Sequence, residues 1–187
     1  MKKITLAVVT FAFVLALAIS TSAMLAAQEY PGSQPAPDKC VGRLIISAAN
    51  VDVMLYACDP CDQTGAAQAV VDAANCAAII PVCEGYYIAD HRHQGFGGIR
   101  DVTHGSISVI ETATGVYSYV CTETCKGYNA GSSCITEDGR DAAYMNKGGL
   151  MMYTCRRILN KKDITITFWQ PVNAGQSVVD DLKDGEI

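Results

Sequence analysis

Nine cysteines run through this chain of 187 residues: Cys40, Cys58, Cys61, Cys76, Cys83, Cys121, Cys125, Cys134 and Cys155. What they can do depends on the redox compartment. The N-terminus answers that question first. Lys2 and Lys3 precede an apolar run from Ile4 to Ile19. Small residues follow at Thr21 and Ala23, which fits a signal-peptidase site, with a second possible cut after Ala27. Counted through to Ala27, the apolar stretch is also long enough to be kept as a single-pass anchor. Either outcome puts the rest of the chain outside the cytoplasm, where most cysteines pair. An odd number leaves one thiol over, or one bond to another chain. Cys76 and Cys83 bracket a short apolar run and could close a small loop, and Cys58 and Cys61 could close a CxxC ring.

Charge narrows the partners. Removing Lys2 and Lys3 leaves 12 basic against 19 acidic residues, a formal charge of −7. An acidic surface argues against nucleic acid and against docking on anionic lipid.

Four segments follow from composition: a leader or anchor over 1–27, a Pro-rich linker over 28–39, one domain over 40–172, and a polar tail over 173–187. Within the domain, 43–47 and 51–56 read as strands around a turn at Asn50. Asp62 is a candidate cap for a helix over 65–74. Short strands are expected at 77–80 and 86–89, a loop with one helical turn at 95–101, and a hairpin over 106–111 and 116–121. Residues 126–133 read as a Gly- and Ser-rich loop, 138–147 is ambiguous, and 150–154 is a strand. Ile164, Ile166 and Phe168 alternate with Thr165, Thr167 and Trp169, a period-two pattern. Many short strands with turns between them make the fold mainly β, an antiparallel barrel or sandwich.

Cys155 is the candidate for the unpaired thiol, because Arg156 and Arg157 follow it and adjacent cations favour a thiolate. The alternative is another disulfide partner. His91 and His93 leave the strand at 86–89, a suitable place for residues held by a rigid scaffold; His104 reads as a solvated loop residue. Two metal arrangements are conceivable: Asp90 with His91 and His93, or Cys58 and Cys61 with Cys121 and Cys125. Oxidation would consume the cysteine ligands, and no cofactor or metal is expected.

The stretch Tyr87-Ile-Ala-Asp-His91, followed by Phe96, Ile99, Val102, Gly105, Ile107 and Val109, and then Tyr117-Ser-Tyr119-Val, resembles the middle of a sortase. Thr154-Cys155 resembles the end of that family's nucleophile strand, and Gly42-Arg43-Leu-Ile-Ile with Val51-Asp-Val resembles its first two strands. The resemblance implies a closed eight-stranded β-barrel, antiparallel or mixed, with short helices; sortases are poor in cysteine, and the eight extra cysteines here suggest a disulfide-braced version of it. It implies a cysteine transpeptidase or hydrolase at the cell surface. Cys155 would be the nucleophile and His91 the general acid. The partners implied are a peptide or protein with a sorting-type motif and an amine acceptor. Family members carry an arginine on the strand after the nucleophile, whereas 163–169 contains none. Arg156 and Arg157 are the nearest candidates for the substrate or oxyanion contact, with Lys161, Lys162 or Arg140 as substitutes. A catalytically silent sortase-fold module that binds peptides or builds a surface structure is the second reading. A thiol–disulfide oxidoreductase using Cys58-Asp-Pro-Cys61 is the third.

Overall fold

A computed structural model of the chain describes residues 39–61, 66–130, 133–155, 163–173 and 177–178. The leader, Asp62 and the Arg156-to-Lys162 segment lie outside them. Nine strands are described: β1 (Cys40–Ile46), β2 (Val51–Ala57), β3 (Cys76–Val82), β4 (Gly85–Ala89), β5 (Ile107–Glu111), β6 (Val116–Ala130), β7 (Ser133–Thr136), β8 (Leu150–Cys155) and β9 (Asp163–Pro171). Two short helices accompany them, α1 (Ala66–Asp72) and α2 (Ala142–Met145). No helix among the described residues is long and apolar enough to cross a membrane.

The strands follow each other in the order β5-β1-β2-β3-β4-β8-β9-β6-β7, and a further pairing of β5 with β6 closes the first eight into a barrel. β7 extends the wall beyond β6. The pairing is mixed: β2–β3 and β4–β8 are parallel and the others antiparallel.

Alternation in the sequence explains which face fills the barrel. Val51, Val53 and Leu55 are buried while Asp52 and Met54 are exposed, as a half-buried strand requires. Asn50 makes the turn before β2 in the left-handed region, at φ 50° and ψ 40°, a conformation Asn tolerates better than most side chains. Leu44, Ile79, Ile88, Ile110, Leu150, Met152 and Trp169 complete the interior, and Phe96, Ile99 and Val102 plug one mouth. A second apolar cluster, with Tyr87, Met151, Ile164, Ile166 and Phe168, lies on the opposite face of the β4-β8-β9 wall. The core reaches past residue 172: Val178 is buried in it, and its N–H donates to the Tyr119 hydroxyl at 2.9 Å.

Two expectations need correcting here. The Gly- and Ser-rich 126–133 stretch is mostly strand, because β6 runs on to Ala130 and turns back as β7. Gly127 serves close packing there. A Cβ on it would collide with the Ile135 carbonyl oxygen and lie 2.6 Å from Ile166 Cδ1.

The cysteines also differ from expectation: no disulfide joins any of the described cysteines in this structure, so bracing by disulfides is not supported. Cys76 opens β3 and Cys83 follows its last residue. An extended strand of that length holds the two roughly 20 Å apart, far beyond disulfide reach.

The plug is fixed by another glycine. Gly98 lies against the Ala49 carbonyl, and an added Cβ would overlap that backbone oxygen. Gly98→Ala should therefore destabilise the barrel by about 1–3 kcal/mol. Urea unfolding of the two proteins checks this, and an unchanged midpoint would show that the contact relaxes freely.

Candidate active site

β8 ends at Cys155, which is half-buried. Its neighbour Thr154 faces inward and donates to the Asp90 carbonyl at 2.8 Å, across 64 residues of sequence. That bond continues the parallel β4–β8 ladder, in which Ala89 lies opposite Tyr153. The next residues along the two chains are Cys155 and His91. Adjacent strands run about 4.8 Å apart, so the backbone segments that carry these two residues are neighbours at one end of the barrel wall.

Cys155 lines a cavity of about 380 Å³ between the loop after β4 and strands β8, β9 and β6. Thr154, Thr165, Thr124 and Lys126 come from the strands, and Arg92, Gly97, Arg100 and Asp101 from the loop. Lys126 pairs with Thr165, and Thr165 with Thr154, so the three form a row across the wall. Arg100 is tied to Asp101 at 3.5 Å. Three cations and two carboxylates, Asp101 and Glu137, thus surround a cavity with a thiol at its edge, a locally positive balance in a chain whose net charge is −5. Sequence reasoning missed Arg92, Arg100 and Lys126 because the loop after β4 and the β6 wall meet only in the closed barrel.

The other candidate cations fare differently. Arg156, Arg157, Lys161 and Lys162 lie outside the described residues. Arg140 is committed to Glu123 at 2.6 Å and Asp138 at 2.7 Å, and this guanidinium holds the Asp138 carboxyl down at about 2.

Cys125 lines the same cavity. Burial, with Glu123 adding, pushes its thiol up to about 11. A thiol so placed stays protonated at neutral pH and competes poorly as a nucleophile.

His91 is half-buried. Its Nε2 lies 2.8 Å from Asp72 Oδ1 at the end of α1, and its ring stacks on His93 with centroids 5.0 Å apart. His104 is exposed on its loop. Neither metal arrangement assembles. Asp90 turns inward, where its two oxygens accept the N–H groups of His91 at 2.6 Å and Gly95 at 2.8 Å. Cys121 lies inside the barrel, whereas Cys58 packs in a separate cluster under α1.

Burial lifts the Asp90 carboxyl to about 7, although the N–H groups of His91, Gly95 and Phe96 oppose the rise. An unfolded aspartate titrates near 3.9. Between about pH 4 and 7 the folded chain therefore holds a proton that the unfolded chain has lost. Stability falls as pH rises through that window, by about 4 kcal/mol at most. Unfolding measured at pH 5 and pH 8 should show a shallower loss in Asp90→Asn than in the wild type. Parallel losses would assign the dependence to another group.

No family model matches the chain, and no curated protein does. Solved structures do. Sortase C1 of Streptococcus agalactiae aligns over 76% of this chain and 72% of its own, at 15% identity and a TM-score of 0.54. Sortase E1 from Streptomyces coelicolor, solved with a tripeptide in its active site, aligns over 75% and 92%, at 16% identity and 0.55. Listeria monocytogenes sortase A aligns over 73% and 89%, at 16% and 0.52. Together with the eight-stranded mixed barrel closed by β5 and β6, these likenesses establish that this chain has the sortase fold.

Proposed function

We propose that the chain is an exported cysteine transpeptidase or peptidase of the sortase type, acting at the cell surface through a thioacyl-enzyme at Cys155. One observation carries this reading: Cys155 ends β8 on a cavity that Arg92, Arg100 and Lys126 line together with Asp101 and Glu137, and His91 follows the paired strand β4. The Cys155 sulfur attacks a peptide carbonyl carbon of an exported protein bearing a sorting-type motif. The carbonyl oxygen gains negative charge, and Arg92, Arg100 or Lys126 can offset it. His91 protonates the leaving amine as the C–N bond breaks. An acceptor amine, or water, then attacks the thioester and frees the thiol. Two easier steps replace one hard one. The apolar leader fits such a role, whether cleaved or kept as an anchor.

The test uses a peptide library with hydroxylamine as acceptor. Hydroxylamine converts a thioester into a hydroxamate that mass spectrometry detects. Hydroxamates from the wild type and none from Cys155→Ala support the proposal. Their absence in both counts against it.

A second reading is favoured by a specific feature. β9 carries no arginine, and a missing oxyanion donor costs roughly a factor of 100 to 1,000 in rate. A catalytically silent sortase-fold module would bind peptides from the library without releasing hydroxamates, and Cys155→Ala would leave that binding intact.

A further inference from the structure

We infer that Asp72 is a positioning residue for His91: it fixes the imidazole with Nε2 protonated and bound to α1, leaving Nδ1 as the nitrogen that serves the substrate. This rests on reading Cys155 and His91 as the reacting pair. An ionised carboxylate only accepts hydrogen bonds. Across the 2.8 Å between Asp72 Oδ1 and His91 Nε2, the proton therefore belongs to Nε2. Gln68, one turn earlier on α1, donates to the same Oδ1 at 2.8 Å and so aims the carboxylate.

The loop is fastened at a second point. With its amide nitrogen toward the helix, Gln94 donates to the Ala73 carbonyl at 2.8 Å and the Val71 carbonyl at 3.3 Å, groups left open where a helix ends. The His93 ring, stacked at an interplanar angle of 23°, limits rotation of the His91 plane. Among the described residues, no hydrogen bond reaches His91 Nδ1.

In the imidazolium both nitrogens carry hydrogen. The Nδ1–H bond breaks as the C–N bond of the tetrahedral adduct breaks. The proton goes to the departing amine, and the ring is left as the Nε2–H tautomer that Asp72 already holds. Without Asp72 either nitrogen can keep the proton, and the ring loses its fixed orientation.

The experiment uses the full chain carrying 15N-labelled histidine. Long-range proton–nitrogen spectra of the neutral His91 ring should show Nε2 protonated and Nδ1 bare. Asp72→Ala should mix the two tautomers, whereas Asp72→Asn, which keeps a carbonyl acceptor, should preserve most of the Nε2–H form. In hydroxamate release, Asp72→Ala should lower kcat about fivefold with KM unchanged, a modest effect because the pair is partly exposed. Asp72→Asn should recover most of that loss. A wild-type ring protonated on Nδ1, or an Asp72→Ala protein with unchanged tautomer and kcat, would overturn the inference. If the wild type proves inactive, the reading of Cys155 fails by itself, and the tautomer spectra still decide whether Asp72 holds His91.

Discussion

Replacing Cys155 with alanine is expected to abolish hydroxamate formation, with a loss of about 1,000-fold or more, while leaving the barrel folded. The scale follows from covalent catalysis. Removing the nucleophile removes the two-step route, and only binding and electrostatic help remain. Folding should tolerate the change. Cys155 is the last residue of β8, half-buried at a cavity edge, and alanine fits any strand end without a cavity cost of note. Circular dichroism and a urea midpoint close to wild type would show this. A Cys155→Ala protein that retained activity would move the chemistry elsewhere, with Cys125 on the same cavity the next thiol to examine.

The second large effect is on stability. Trp169 is fully buried inside the barrel, between Cys121 on β6 and Leu150 on β8. Its indole N–H donates to Thr167 Oγ1 at 2.8 Å. Trp169→Ala leaves a large void and should cost about 3–5 kcal/mol. Domains of this kind hold only about 5–15 kcal/mol in total, so the variant should unfold at much lower urea and lose Cys155 reactivity with it. Trp169→Phe, which refills most of the space, should recover more than half the loss. A Trp169→Ala midpoint near wild type would mean that neighbours collapse into the void.

The second effect also shows what could be read from sequence. Trp169 belongs to the alternating run that identified β9, whereas 51–56 reads as a strand from its Val and Leu content after the turn at Asn50. Alternation is a local signal, because the two faces of a strand are set by its own residues. Local signals misled where packing had chosen the residue. Gly127 looked like loop punctuation, yet it is glycine because β7 approaches too closely for a Cβ.

The candidate site divides along the same line. Cys155 and His91 could be placed from the strands that precede them. Arg92, Arg100 and Lys126 could not, since only the closed barrel brings the loop after β4 above the β6 wall. The bond from His91 to Asp72 was equally hidden, joining positions 19 residues apart through a helix end. The cysteine count promised a disulfide framework, but a count carries no distances. Cys76 and Cys83 occupy opposite ends of one strand, and Cys121 faces the core while Cys58 lies outside the wall.

On the proposed function, Cys155 is an accessible, reactive thiol on which activity depends. Limiting modification of the native full chain with a small methanethiosulfonate, followed by peptide mapping and assay of hydroxamate release, decides whether this is so. Exposed Cys61 and Cys83 will also take up reagent, and buried Cys121 and Cys134 should not. Cys155 should be found free and modified, with activity falling in proportion to its occupancy alone. Recovery of Cys155 in a disulfide, or full activity after its complete modification, would contradict it.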